Sequence, residues 1–179
     1  MSASILTISG LPGSGTSTAC KLLRERLGWS YVNAGEIFRT LAREAGLSLA
    51  EFGQRAEEDA CIDRALDARM VATARVEQPI ILEGRLTGWM ALRSELDAVK
   101  IWIEAEGEVR AQRVRERDGE TAAAALEKML AREASEAQRY RQHHGIEIGD
   151  RSMYDLVIDS AVLLPEEIVQ RIEARLEGR

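Results

Sequence analysis

The sequence has little cysteine, little proline, few aromatic residues and no long apolar run. Among 179 residues there are 2 cysteines and 3 prolines, and aromatic side chains make up 4%. Two cysteines are too few for a disulfide framework, and Cys20 and Cys61 lack the spacing of metal ligands. The apolar stretch 5–8 is far shorter than the ~20 residues that a membrane span requires. We therefore expect a cytoplasmic protein that does not enter a membrane.

An excess of positive charge is also lacking. Lysine and arginine number 24 against 30 aspartates and glutamates, which gives a formal net charge of -6. A general nucleic-acid binder needs positive charge facing phosphates, so no nucleic-acid partner is expected. A local arginine cluster can still bind a small phosphorylated ligand. The length suits one compact domain, residues 1–179, and leaves the oligomeric state open, with a monomer slightly favoured.

Short apolar runs alternate with helical stretches along the chain. Strands are predicted at 4–9, 30–33, 80–83, 98–103 and 154–159. The predicted helices are about 16–27, 35–45, 48–58, 61–76, 107–117 and 121–143, with a closing helix from Pro165. This alternation predicts an α/β fold of the P-loop NTPase type, a three-layer sandwich with a parallel sheet. Ligands of such a sheet bind at the carboxyl ends of its strands.

A glycine-rich turn follows the first strand. It fits the pattern G-x-x-x-x-G-K-[ST] at every fixed position except that Thr16 stands where the pattern has lysine. Backbone N–H groups of such a loop surround phosphate oxygens, and the following helix directs its positive end at them. Ser17 would offer its hydroxyl to Mg²⁺, which we expect as the cofactor together with ATP. The predicted ATP-binding residues are Gly10, Leu11, Pro12, Gly13, Ser14, Gly15, Thr16, Ser17 and Thr18.

The missing lysine bears on catalysis. A lysine at this position bridges the β- and γ-phosphates and offsets transition-state charge. Its loss costs roughly 1.5–3 kcal/mol if nothing replaces it. Lys21, on the same predicted helix, points to a different face. An arginine from the region after residue 110 is therefore the better substitute.

Charged residues follow two other predicted strands. Arg39 lies in the helix after the second strand, and its planar guanidinium suits a phosphate. Glu83 ends the third strand, where it could act on Mg²⁺ through water. Arg85 follows at the mouth of the site, and Gly84 and Gly88 would permit close approach of a ligand. We therefore place the acceptor of the phosphoryl group here.

A further set of arginines lies on the predicted helices near residues 107–143. Arg132, Glu136 and Arg139 share one helical face, because they are spaced i, i+4 and i+7. Such a stripe can also be a solvated row of salt bridges. Arg113 and Arg117 are spaced i, i+4 on the preceding helix. We predict that the four arginines are catalytic and that this region closes over the triphosphate and excludes water.

Taken together, these segments resemble the archaeal-type cytidylate kinases, members of the nucleoside monophosphate kinases. The resemblance covers most of the chain. It implies one kinase domain with an insert for the monophosphate at about 34–78 and a short lid at about 118–143. The implied reaction transfers the γ-phosphoryl group of ATP to CMP, and to dCMP as well, giving CDP and ADP. The segments are SGLPGSGTST, NAGEIFR, EFGQRAEED, IDRALD, LEGRLTGWM, VKIWIEA, EVRAQR, REASEAQRY and GIEIGDRSMYDLVIDS.

The resemblance also implies roles for individual residues. Arg39 and Arg85 would hold the CMP phosphate, and Asp63 and Arg64 would lie on the insert near the acceptor. The arginine–acid–arginine spacing around Glu136 is also similar to that of the bacterial cytidylate kinases, where it serves phosphate and cytosine. Glu136 would then accept a hydrogen bond from the cytosine amino group, whereas the carbonyl oxygen of uracil would be repelled.

Two other functions remain open from the sequence. P-loop kinases of similar length phosphorylate shikimate, gluconate or related alcohols, and they need no acid that reads a base. A non-catalytic nucleotide-binding module would have lost its activity with the lysine. The presence of Ser17, Glu83 and several arginines argues against such a module, because a protein that only binds has less need of them.

Overall fold

The structure, a computed structural model, describes residues 4–119 and 121–178, without the side chains of 117, 118, 122 and 125. Within these residues five strands form one parallel sheet in the order β2-β3-β1-β4-β5. This sheet confirms the predicted α/β fold. The strands are β1 (Ile5–Gly10), β2 (Ser30–Asn33), β3 (Ile80–Glu83), β4 (Ala98–Glu104) and β5 (Leu156–Asp159).

Helices connect the strands. The predicted helices are present, with ends within one residue of the predicted ones, and α5 is additional. No helix was predicted between β3 and β4, where Gly84 and Gly88 were expected to permit close approach of a ligand. The helices are α1 (Thr16–Leu27), α2 (Ala34–Glu44), α3 (Leu49–Glu58), α4 (Ala60–Val76), α5 (Thr87–Arg93), α6 (Gly107–Asp118), α7 (Ala122–His144) and α8 (Pro165–Glu177).

The sheet is covered on both faces, as the continuous apolar strands predict. All six residues of β1 and all four of β3 are buried. One core cluster packs α1 and α8 against the sheet around Leu23 and Ile172. The other packs α4, α5 and α7 around Met70, Met90 and Tyr140. The three-layer arrangement places the carboxyl ends of β1, β2 and β3 side by side.

Residues 34–78 form α2, α3 and α4, which lie beside these strand ends. Helix α7 packs against this group. His143 Nε2 lies 3.0 Å from the carbonyl oxygen of Glu57, and Ser135 donates to the Glu57 carboxylate. The division into insert and lid stays a prediction, but these contacts bring α7 over the site. None of the helices in the described ranges is long and apolar enough to cross a membrane.

Gly88 illustrates how tightly the central layer is packed. A Cβ at this position would lie 2.5 Å from an atom of the Tyr154 ring. We therefore expect Gly88→Ala to lower the free energy of unfolding by roughly 1–3 kcal/mol, because the core must open. Gly53, inside α3, has open space around it. Gly53→Ala should raise stability by roughly 0.5–1 kcal/mol. Thermal melting of both variants checks the contrast, and equal shifts would contradict it.

Candidate active site

The phosphate-binding loop, residues 10–17, is held from its outer side by α6. Gly13 has φ +80°, and a Cβ there would lie 2.5 Å from the carbonyl oxygen of Arg110. Only glycine therefore fits this close approach. The Arg110 guanidinium donates to the carbonyl oxygen of Pro12 at 3.2 Å and pairs with Glu133. These contacts fix the loop against α6 and α7.

A second arginine secures the same side of the loop. Arg113 donates to the carbonyl oxygen of Gly13 at 3.4 Å and to both oxygens of Ser160, at 2.8 and 2.9 Å. The Ser160 hydroxyl donates to the carbonyl oxygen of Ser14 at 2.8 Å. Arg113 therefore supports the loop backbone here, and its predicted catalytic role stays a prediction. The side chain of Arg117 lies outside the described residues.

The carboxylate of Glu83 joins the loop to the neighbouring strands. Its Oε1 accepts from Thr16 at 2.8 Å and from Ser17 at 2.7 Å. Its Oε2 accepts from Asn33 at 2.6 Å and from the hydroxyl of Tyr31. Glu83 is 5% exposed. Four uncharged donors therefore hold a buried anion at the point where β3 meets the start of α1.

Two of these donors come from β2, which the sequence did not indicate as part of the site. Burial, followed by the hydrogen bond to Glu83, raises the pKa of Tyr31 well above its usual range. The phenol therefore keeps its proton and donates it. Asn33 has a second function, because its Oδ1 caps α2 by accepting from the backbone N–H of Glu36. Strand β2, helix α2 and Glu83 are thus positioned together.

A cavity of about 200 Å³ opens between the loop, the strand ends, α4 and α7. Its lining combines the loop residues, four arginines and, where α4 and α7 line the cavity (here called its far end), Asp63, Asp67 and Tyr140. A phosphorylated ligand with a ring therefore has both cationic groups and an aromatic side chain to contact. The predicted site residues in its lining are Leu11, Pro12, Gly13, Thr16, Ser17, Arg39, Asp63, Glu83, Gly84, Arg85, Arg132, Glu136 and Arg139.

Glu136 connects two of the arginines in the middle of the cavity. Its Oε2 accepts from Arg85 Nε at 2.9 Å, and its Oε1 accepts from Arg132 Nε at 2.8 Å. Burial alone would raise the pKa of Glu136, but the two guanidinium groups outweigh it and the pKa is lowered. The carboxylate is thus ionised, and it fixes the orientation of both arginines.

The far end of the cavity carries two further carboxylates, on α4. Asp63 forms an ion pair with Arg139 at 2.9 Å, and the Arg139 guanidinium stacks on Phe38 at 5.1 Å. Asp67, one helical turn later, lies 3.6 Å from His144. Within the described part of the chain, Asp67 accepts no hydrogen bond. Burial, and then the charge of Asp63, raises the pKa of Asp67 to about 7.

Some predicted residues lie elsewhere. Arg64 is exposed and is absent from the cavity lining in the described residues. Gly88 makes room for Tyr154 rather than for a ligand. Thr18 is exposed on α1. The sequence analysis missed Asp67, although its i, i+4 spacing from Asp63 places both on one helical face.

Oxygen ligands near the loop fit a magnesium ion. The Ser17 hydroxyl and the Glu83 carboxylate lie together beside the loop, and hard oxygen donors suit Mg²⁺. In the described ranges no cluster of three or more acidic, histidine or cysteine residues could hold a metal ion. A protein site of this kind supplies one or two ligands and leaves the others to water and phosphate.

The fold and the loop are those of the P-loop NTPase type, and solved structures share this fold. The chain is similar to an uncharacterized protein from Eubacterium ventriosum, at TM-score 0.72 and 17% identity, over 98% of this chain and 99% of that one. It is also similar to a shikimate kinase from Bacteroides thetaiotaomicron, at TM-score 0.61 and 12% identity, over 97% of this chain and 98% of that one. Identities this low show the fold alone.

Sequence comparison identifies the family. A sequence model of the cytidylate kinase-like family matches residues 5–78 and 62–162. A cytidylate kinase of Methanococcoides burtonii is 50% identical over 157 residues, 88% of this chain and 87% of that protein. A cytidylate kinase of Methanococcus vannielii is 48% identical over 158 residues, which are 88% of this chain and 90% of that protein. The chain belongs to the cytidylate kinase-like family.

The raised pKa of Asp67 has a consequence for stability. The folded chain binds the Asp67 proton more tightly than the unfolded chain. The stability that protonated Asp67 contributes is therefore full at low pH, and it is lost as the pH rises through about 7. We expect Asp67→Asn to melt above the parent at pH 8, by roughly 2 kcal/mol or about 4–8 °C. The difference should shrink towards pH 4. Thermal melting at both pH values checks this, and a pH-independent difference would contradict it.

Proposed function

We propose that this protein transfers the γ-phosphoryl group of ATP to CMP, and also to dCMP, giving ADP and CDP. The observation that carries the proposal is a single cavity lined by the phosphate-binding loop, by arginines and by the carboxylates of α4. Membership in the cytidylate kinase-like family supports CMP as the acceptor. A cytoplasmic location is consistent with this reaction and stays a prediction.

The chain's residues would position two anions for an in-line transfer. A phosphate oxygen of CMP attacks the γ-phosphorus, and the bond between that phosphorus and the β,γ-bridging oxygen breaks to release ADP. A CMP phosphate is already an anion at neutral pH, so no general base is required. Arg39 and Arg85 would hold the CMP phosphate, and Arg132 would offset charge that develops during the transfer. Helix α7 would exclude water, which otherwise accepts the phosphoryl group.

Magnesium would enter with ATP. Ser17 and Glu83 are the residues that would hold the ion, directly or through water, beside the phosphates. Bound there, Mg²⁺ neutralises charge on the β- and γ-phosphate oxygens. Thr16 and Asn33 keep the Glu83 carboxylate turned towards this position.

Asp67 is the residue that we propose to read the cytosine amino group. Each oxygen of Glu136, the residue assigned this role from the sequence, already accepts a charge-assisted hydrogen bond from an arginine. Asp67 lies at the far end of the cavity, with its carboxylate free of hydrogen bonds from the described residues. Above its pKa of about 7 the Asp67 carboxylate is mostly ionised, and it would then accept from the N4–H₂ group of cytosine and repel O4 of uracil.

The test of the reaction is ADP release with ATP and Mg²⁺ in the presence of different acceptors. CMP, dCMP, UMP, AMP, shikimate, gluconate and no acceptor should be compared. We expect rapid release with CMP and dCMP, little with AMP, and almost none without an acceptor. Faster ADP release with shikimate or gluconate than with CMP would show that this compound, and not CMP, is the acceptor. Binding of ATP without release in any mixture would identify a non-catalytic module.

The roles of Asp67 and Glu136 can be distinguished by measuring the preference of variants for CMP over UMP. Asp67→Asn should reduce the ratio of kcat/KM for CMP over UMP by at least 10-fold, because an amide can also donate to uracil O4. Glu136→Gln should lower kcat/KM for both acceptors and leave the ratio near that of the parent, because it loosens the arginines. Steady-state kinetics with both acceptors provides the measurement. The opposite pattern would return the base-reading role to Glu136.

A further inference from the structure

The loop of this chain has no positively charged side chain of its own. Thr16 occupies the lysine position, and its hydroxyl donates to Glu83 at 2.8 Å. In P-loop NTPases generally, a lysine at this position contacts the β- and γ-phosphates. The cation that takes over must lie inside the cavity, reach the loop and have N–H groups left for phosphate oxygens.

Arg110 and Arg113, the two arginines of α6 that contact the loop in the described residues, do not meet these conditions. Arg110 and Arg113 approach the loop from its outer side, donate to its backbone carbonyl oxygens and bind Glu133 or Ser160. Within the described residues, neither is part of the cavity lining. Their contacts shape the loop, but their guanidinium groups are directed to protein acceptors.

Arg85 meets all three conditions. It lines the cavity, and its guanidinium NH1 donates to the carbonyl oxygen of Gly10, the first residue of the loop, at 2.8 Å. Its Nε donates to Glu136 at 2.9 Å. A guanidinium has five N–H donors, so these two contacts leave three for a ligand. Among the described arginines of the cavity lining, Arg85 alone is hydrogen bonded to the loop.

The sheet order explains this position. Strand β3 lies next to β1, so a residue just beyond the end of β3 stands over the loop that follows β1. Glu83 is held by four uncharged donors, which leaves Arg85, two residues later, free to turn towards Gly10 rather than pair with Glu83. Thr16 thus helps to satisfy the Glu83 carboxylate, while Arg85 bonds to Gly10 and Glu136.

The charge on Arg85 is secure despite its burial. Burial by itself lowers the pKa of the guanidinium, but the carboxylate of Glu136 outweighs it and the pKa is raised. Glu136 therefore holds a buried cation beside the loop, in the lining of the cavity.

We propose that Arg85 replaces the P-loop lysine, so that it contacts the terminal phosphates of the donor as well as the acceptor phosphate. The inference rests on the proposed kinase reaction. A residue that serves the acceptor alone would affect CMP binding only, whereas Arg85 also strengthens donor binding before any CMP is present.

The experiment measures binding of the non-hydrolysable donor AMPPNP with Mg²⁺ and without CMP, by isothermal titration calorimetry. We expect Arg85→Gln to weaken AMPPNP binding by about 10- to 100-fold, the range for loss of one charge-assisted contact. Arg39→Gln is the matched control, because Arg39 lines the same cavity but has no hydrogen bond to the loop in the described residues. It should weaken CMP binding and leave AMPPNP binding near that of the parent.

A rescue provides the second readout. Thr16→Lys in the Arg85→Gln background should restore AMPPNP affinity and raise kcat at least 10-fold over Arg85→Gln alone. Unchanged AMPPNP affinity in Arg85→Gln, or no rescue by Thr16→Lys, would overturn the proposal. If Arg85→Gln does not fold, the double variant Arg85→Gln, Glu136→Gln removes both buried charges and is compared in the same way. Absence of CDP from the unmodified protein would instead contradict the kinase reaction itself.

Discussion

The buried carboxylate of Glu83 is the group on which the site depends. It draws together the start of α1, the end of β3 and two residues of β2, Tyr31 and Asn33, through four neutral donors. A buried anion is costly unless hydrogen bonds satisfy it, so these donors and Glu83 require one another. The chain thereby fixes the phosphate-binding loop, the helix that begins at Ala34 and the strand end that carries Arg85 as one unit.

This arrangement explains why threonine suits position 16, where the loop pattern has lysine. A lysine at position 16 would place its charge next to Glu83, whereas threonine contributes only a hydroxyl. The positive charge then comes from the neighbouring strand, with Glu136 as its counter-ion. Because Glu136 also orients Arg132, these two arginines are positioned relative to one another by the protein itself. Preorganised charge of this kind is what phosphoryl transfer requires, since little covalent chemistry is left to the protein.

Much of the fold and part of the site followed from the sequence. Apolar runs such as IILE and the glycine-rich turn are local signals, so the strands, most helices and the loop were predicted with ends within one or two residues. The short helix α5 was missed, because it has only seven residues and two glycines lie at or just before its start. Asp67, Tyr31 and Asn33 were missed because their roles arise from neighbours distant in sequence. The position of Arg85 beside the loop depends on the order of strands in the sheet, which is not a local property of the sequence.

The most direct test is a crystal structure of the protein with ADP, CMP, Mg²⁺ and aluminium fluoride, which mimics the phosphoryl group in transfer. If Arg85 replaces the lysine, its guanidinium nitrogens will lie within hydrogen-bonding distance, about 2.7–3.2 Å, of a fluoride and of an oxygen of the CMP phosphate. The Asp67 carboxylate will lie at the same distance from the cytosine amino group. A guanidinium that contacts only the CMP phosphate, with another cation beside the fluoride, would contradict the assignment of Arg85.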